Sequence, residues 1–128
     1  MTLTAMAQIL VVDDEELVRR FAARVLRGRG YSVAEAGDGR QALARIEEAG
    51  SALHLVLSDI VMPRMNGVEL TEHLSVSRPD LPVILMSGYS PVELMARGIA
   101  APCALLSKPF LPSELIAEVS RCLDVSAA

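Results

Sequence analysis

A chain of 128 residues amounts to one ordinary domain, long enough to bury a real core, with little left over for a second. Its 52% apolar residues and mean hydropathy of +0.38 are high, yet no apolar run reaches the roughly 18 residues needed to cross a bilayer. A net charge of −4 and 3% aromatic residues argue against a nucleic-acid surface, which needs a basic stripe and stacking rings.

Met1 to Gln8 lacks the basic start of a signal peptide, so the expectation is a cytoplasmic protein without membrane insertion. Gln8 to Val12 is a continuous apolar run of the kind found in strands buried on both faces, and it ends in Asp13-Asp14. Glu15 to Arg27 has helical spacing, with Leu17, Val18, Phe21, Ala22, Val25 and Leu26 expected on the inward face. Acids lead and arginines trail, as the helix dipole prefers, and Gly28 and Gly30 end the helix. Tyr31 to Ala36 is a short second strand, Gly37-Asp38-Gly39 a turn, and Arg40 to Ala49 a helix with Ala42, Leu43 and Ile46 on its apolar stripe. After the Gly50-Ser51 break, Leu53 to Ser58 is a third strand ending in Asp59. Gly67 to Ser77 is a helix carrying Val68, Leu70 and Leu74, stopped by Arg78-Pro79-Asp80. Pro82 to Met86 is a fourth strand ending in Ser87-Gly88. Ser90-Pro91 suits the N-cap and first turn of a helix, but Gly98 and Pro102 leave room for only about two turns. Cys103 to Ser107 is a fifth strand ending in Lys108-Pro109. Pro112 to Leu123 is the last helix, with Leu115, Ile116, Val119, Cys122 and Leu123 inward, and Ser126 to Ala128 a frayed tail.

Alternating strands and helices with short loops imply parallel βαβ units with right-handed crossovers. The expected fold is a single α/β domain over residues 1–128, with its core between about residues 7 and 124. It is a doubly wound five-stranded parallel sheet with helices on both faces. Ligands of such sheets bind outside the carboxyl ends of the strands. There, three carboxylates (Asp13, Asp14, Asp59), the Ser87 hydroxyl and the Lys108 ammonium converge. Acids of this kind suit a divalent cation, and the ammonium and hydroxyl suit a phosphoryl group. Taken singly, each residue has a bland use. Asp13-Asp14 would cap a helix, Ser87 would form a turn, and Lys108 would be solvated. Their joint placement is what points to chemistry. His54 and His73 are expected to be packed and solvated, not ligands or phosphodonors. Cys103 and Cys122 have neither metal-ligand nor CxxC spacing and are expected to be buried thiols in a reducing compartment.

Asp13-Asp14-Glu15, Asp59 to Gly67 (DIVMPRMNG), Ser87-Gly88-Tyr89 and Lys108-Pro109-Phe110, in that order, resemble the receiver domain of two-component response regulators. The resemblance covers nearly the whole chain and implies the flavodoxin-like strand order 2-1-3-4-5. It implies that Asp59 takes a phosphoryl group from a phosphohistidine on a histidine kinase or histidine phosphotransfer protein and becomes an aspartyl phosphate. It also implies Mg²⁺ or Mn²⁺ held by Asp13, Asp14, Asp59 and the Val61 backbone carbonyl. Lys108 and Ser87 would hold the phosphoryl oxygens, Gly88 would offer its N–H, and Lys108-Pro109 would be cis. Such a module is a phosphorelay phosphoprotein, not an enzyme, and catalyses only its own phosphorylation and slow self-dephosphorylation.

The pattern departs from the family at Leu105, where receivers often carry a Tyr or Phe that rotates as a switch. Ser87, Leu105 and Tyr89 are therefore the residues of interest for switching, and the segment Ser87 to Pro102 is expected to carry most of it. That segment, with Leu-Leu-Ser-Lys-Pro-Phe after it, is similar to receivers of hybrid histidine kinases. A free-standing receiver and one excised from a longer protein both fit. The competing enzyme reading is a Mg²⁺-dependent phosphatase or phosphotransferase acting on outside substrates. Aspartate-nucleophile phosphatases want Asp-x-Asp after the first strand, whereas this chain has Asp13-Asp14. A scaffolding pseudo-receiver should lack one of the acids or the lysine, and none is missing.

Overall fold

The computed structural model describes residues 7–98 and 103–127. Five strands alternate with five helices: β1 (Gln8–Val12), α1 (Glu16–Gly28), β2 (Ser32–Ala36), α2 (Gly39–Ala49), β3 (Leu53–Asp59), α3 (Gly67–Ser77), β4 (Val83–Ser87), α4 (Pro91–Ala96), β5 (Ala104–Ser107) and α5 (Pro112–Ala127). A 3-10 turn, Gly50–Ala52, joins α2 to β3. The strands form one parallel sheet in the order β2-β1-β3-β4-β5.

The two-residue period of a strand divides the core between the two faces of the sheet. Ile9, Val11, Leu55, Leu57, Ile84 and Met86 pack with Ala22 and Leu26 of α1 and Leu115 and Val119 of α5. Leu10, Val12, Val56, Val83 and Leu85 pack on the other face with Ala42, Ile46, Leu70, Leu74 and Leu94 from α2, α3 and α4. Burial on both faces is why the inner strands β1, β3 and β4 read as largely apolar runs, whereas the edge strand β2 does not.

Caps fix where three of the helices begin. Asp38 accepts the Gln41 N–H at 2.9 Å ahead of α2, and Asn66 and Ser90 each form a reciprocal pair with a glutamate three residues on, ahead of α3 and α4. Before α5, Glu114 accepts the Leu111 N–H at 2.8 Å, and the Leu111 carbonyl accepts the Glu114 N–H at 3.0 Å, so this helix starts without a capping side chain at Leu111. The expected short helix after Ser90 is present as the six residues of α4. The expected stop at Pro102 lies outside the described residues.

Three expectations need correction. Leu17 is 85% exposed and Phe21 43%, so neither belongs to the core. At roughly 100° per residue, the inward stripe of α1 centres on Ala22 and Leu26, which puts Leu17 on the opposite side and Phe21 on the flank. The cysteines are not thiols: Cys103 and Cys122 form a disulfide with Cα atoms 6.0 Å apart, within the usual span. Sequence spacing could not reveal this pair, because 19 residues and a strand-to-helix crossing separate them. Helix α5 continues past Leu123 to Ala127, since no glycine or proline follows to stop it. The β1–β3 register shifts between Gln8 and Ile9, and at this irregularity His54 Nδ1 accepts the Gln8 N–H at 3.0 Å. His54 is therefore a structural acceptor, and His73 is exposed on α3.

Candidate functional site

The strand order puts the ends of β1, β3, β4 and β5 side by side, and the polar residues sit on those ends. Asp13 follows β1 and is fixed by its main chain, whose N–H donates to Ala36 O at 3.1 Å and whose carbonyl accepts Arg19 Nη1 at 3.0 Å. Its side chain is fully buried, with Oδ1 accepting the Glu15 N–H at 2.9 Å and Oδ2 accepting Lys108 Nζ at 2.8 Å. Asp59 closes β3 and is 6% exposed. Its Oδ1 lies 3.1 Å from Lys108 Nζ, so one ammonium bridges two buried carboxylates. Glu15 stands at the edge of this group, 3.9 Å from the ammonium.

Asp14 is exposed beside them. Ligand oxygens of Asp13, Asp14 and Asp59 all lie within 4.8 Å of one another. An all-oxygen set of this kind fits a hard divalent cation. Val61 is 68% exposed in the loop leaving Asp59. That loop is pinched at its base, where the Gly67 N–H donates to Ile60 O at 2.8 Å. Gly67 lies so close to the Asp59 carbonyl that an added Cβ would sit 2.3 Å from its oxygen, so only glycine fits.

The other half of the site comes from β4 and β5. The Lys108 N–H donates to Ser87 O at 2.7 Å, which ties the two strand ends together through the main chain. The Lys108-Pro109 peptide is cis, as the resemblance implied. Ser87 is buried and its Oγ accepts the Tyr89 N–H at 3.0 Å. Gly88 is exposed with open space around its Cα. Tyr89 is partly exposed, with the Arg97 guanidinium 4.1 Å from the centre of its ring, a cation–π contact. Leu105 is half-buried in the α2–α4 side of the core and has no polar tip to carry a hydrogen bond.

The electrostatics follow from this crowding. Burial pushes the Asp59 carboxyl up to about 6, the Asp13 charge adds to the effect, and Lys108 opposes it. Burial alone would lower the Lys108 ammonium, but its hydrogen bond to Asp13 and the charges of Asp59 and Asp13 outweigh burial and raise it. The result is a cluster short of positive charge that already holds one cation.

Two residues outside the expected set also stand out. Asp38 is buried, and Arg64 Nη1 donates to its Oδ2 at 2.7 Å. The Gln41 N–H bond holds the Asp38 carboxyl below its usual range against the effect of burial, and Arg64 adds to this. The sequence marked Gly37-Asp38-Gly39 only as a turn, and nothing in it marked Asp38 as a cap or Arg64 as its partner.

The response regulator receiver domain family model matches residues 9–120. The chain is 39% identical over 124 residues to the sensor kinase CckA of Brucella abortus, covering 95% of this chain and 13% of that protein. It is 35% identical over 119 residues to the response regulator receiver protein CpdR of Brucella abortus, covering 92% of this chain and 98% of that one. It thus spans a small part of one relative and nearly all of another. Among solved structures, a receiver domain protein from Methanospirillum hungatei superposes with a TM-score of 0.84 at 31% identity, covering 95% of this chain and 97% of that one. The receiver domain of the hybrid histidine kinase CckA superposes with a TM-score of 0.77 at 37% identity, covering 91% and 99%. With the sheet order, the acid cluster and the family match in agreement, this chain belongs to the response regulator receiver domains.

Proposed function

We propose that this domain is a phosphoacceptor signalling module in which Asp59 takes a phosphoryl group from a phosphohistidine. The observation that carries this reading is the Lys108 ammonium bridging buried Asp13 and Asp59, with a third carboxylate, Asp14, in the same cluster. A carboxylate oxygen of Asp59 attacks phosphorus, the P–N bond breaks, and the imidazole nitrogen leaves with the bonding pair and picks up a proton. The product is an aspartyl phosphate. Lys108 lies within reach of Asp59 and would pair with the phosphoryl oxygens. The Ser87 hydroxyl and the Gly88 N–H would hold the others. Asp13, Asp14, Asp59 and the Val61 carbonyl would hold Mg²⁺ or Mn²⁺. When bound, this cation neutralises charge on the transferring group. The domain acts on itself and has no outside substrate to turn over.

The partner is a histidine kinase or histidine phosphotransfer protein. Leu17 and Leu111 are 85% and 63% exposed, and Phe21 packs on Phe110, two residues beyond Lys108, with ring centroids 6.2 Å apart. Exposed apolar side chains of this kind suit the apolar face of a phosphohistidine-bearing helix, and the kinase names among the relatives agree with such a donor. With a net charge of −4, no nucleic-acid contact is part of this reading. Among the described residues no helix is long and apolar enough to cross a membrane. We assign the cytoplasm from the chemistry of the partner. The disulfide, uncommon in that compartment, stands against this assignment.

The test is incubation with a small acyl phosphate and Mg²⁺, read by intact mass. Wild type should gain one phosphate that is stable to acid and labile to base, and Asp59→Asn none. Equal labelling of the variant overturns the assignment, and turnover of an exogenous phosphate ester favours the phosphatase reading.

A further inference from the structure

We propose that Asp38 is a positioning residue for the divalent-cation site, acting through Arg64 on the loop that follows Asp59. The inference rests on the cation site proposed above. Asp38 comes from the loop after β2, whereas the loop it grips leaves β3, on the far side of β1 in the sheet. Its two oxygens do different work. Oδ1 caps α2 through the Gln41 N–H, which fixes the carboxylate to a rigid helix end. Oδ2 takes Arg64 Nη1 at 2.7 Å, although the arginine side chain is otherwise 63% exposed.

Three further observations make this contact more than a surface ion pair. Arg64 sits at φ 68°, and it is the one non-glycine residue with positive φ among those described. That backbone state is costly for a side-chain-bearing residue and persists only when its surroundings hold it. Next to it, Gly39 is packed under Met65 so closely that a Cβ would lie 2.6 Å from the methionine Cβ and 2.7 Å from its carbonyl oxygen. The base of the loop is closed by the Gly67 bond to Ile60. The loop is therefore held at both its base and its tip, and Val61 lies between the two anchors. Cation sites depend on such outer groups to aim their ligands.

Long-range charge would act on the two partners with opposite signs, and this separates it from positioning. Removing the Asp38 charge would weaken Mg²⁺ binding, whereas removing the Arg64 charge would strengthen it. Positioning requires both losses to weaken binding. Asp38→Asn keeps an N-cap acceptor, so α2 retains its start. Mg²⁺ affinity of the full chain, measured by titration calorimetry, should fall about tenfold in Asp38→Asn and in Arg64→Gln. The double variant should be no weaker than either single one, because both break the same contact. Arg64→Lys, which keeps a single donor for Oδ2, should recover most of the loss. Metal-free melting temperatures should change little, since a purely structural role would lower them and leave Mg²⁺ affinity alone. Tighter binding by Arg64→Gln, or unchanged affinity in both single variants, overturns the inference. Asp14→Ala serves as the control. If it abolishes Mg²⁺ binding while the two latch variants bind normally, only the latch is wrong. If it binds like wild type, the cation site itself is wrong.

Discussion

Asp59 has a carboxyl pushed up to about 6 by burial and by Asp13, which makes its ionised form a burden on the empty fold. A carboxyl raised in the folded state binds its proton more tightly there than in the unfolded chain. It therefore costs nothing below about pH 4, where both states are protonated, and destabilises progressively as pH rises through about 6. With metal chelated, Asp59→Asn should gain on the order of 2–3 kcal/mol over wild type at pH 8. The gain should shrink through pH 6 and vanish near pH 4, as read from urea unfolding at the three pH values. An equal gain at all three would mean that the carboxyl titrates normally. Saturating Mg²⁺ should reverse the order at pH 8, since it stabilises the ionised wild-type site and the variant lacks one ligand. At this scale the sequence was most legible where a residue ends an apolar run. Asp13, Asp59, Ser87 and Lys108 all stand where the runs stop. Asp38 and Arg64 were not legible as a pair, because 26 residues separate them and their meeting depends on how two loops cross β1.

At the scale of elements, we propose that β4 and α4, with the loop between them, pass a small motion on. Ser87 Oγ accepts the Tyr89 N–H, and the Tyr89 ring lies against Arg97, the cap at the far end of α4. A hydroxyl that turns toward a phosphoryl group releases that N–H, so the motion reaches both ends of a six-residue helix. Such a short helix belongs to the low-stability end of the domain. Leu105 packs against the core and offers no polar tip, so on the proposed reading the loop would carry the change that an aromatic ring would otherwise carry. Amide exchange with and without beryllofluoride, with Mg²⁺ present, should change most between Ser87 and Gly98 among the described residues. Residues 99–102, included in the sequence-based expectation, lie outside them. In Tyr89→Ala the change should stay near Ser87 and fade by Arg97. A response centred on α1 or α5 would place the switch elsewhere. Most elements were legible because helical and strand periods are local. The inward face of α1 was misread because Leu17 and Phe21 fit a wide apolar stripe, while the sheet covers only the narrow one through Ala22 and Leu26.

Across the whole molecule, a single parallel sheet sorts the chain into two poles. The alternation of elements implied the layers, whereas the order of the strands came from resemblance, since local pattern alone does not say which strand lies beside which. The carboxyl pole gathers the acids, Ser87 and Lys108. The opposite pole holds the His54 irregularity and the start of β5, where Cys103 is joined to Cys122 of α5. Four strand residues separate Cys103 from Lys108, roughly 16 Å of extended chain. The crosslink thus closes a covalent ring around the segment that bears the ammonium, while its sulfurs stay away from the acceptor. Phosphoryl uptake should therefore proceed at the same rate before and after full reduction, with intact mass following both the phosphate and the two added hydrogens. A large change in rate on reduction would mean that the two poles communicate. If they do not, redox chemistry and phosphoryl chemistry run on this fold as insulated circuits, and a probe attached at the sulfur pole could report on the molecule without disturbing its signal.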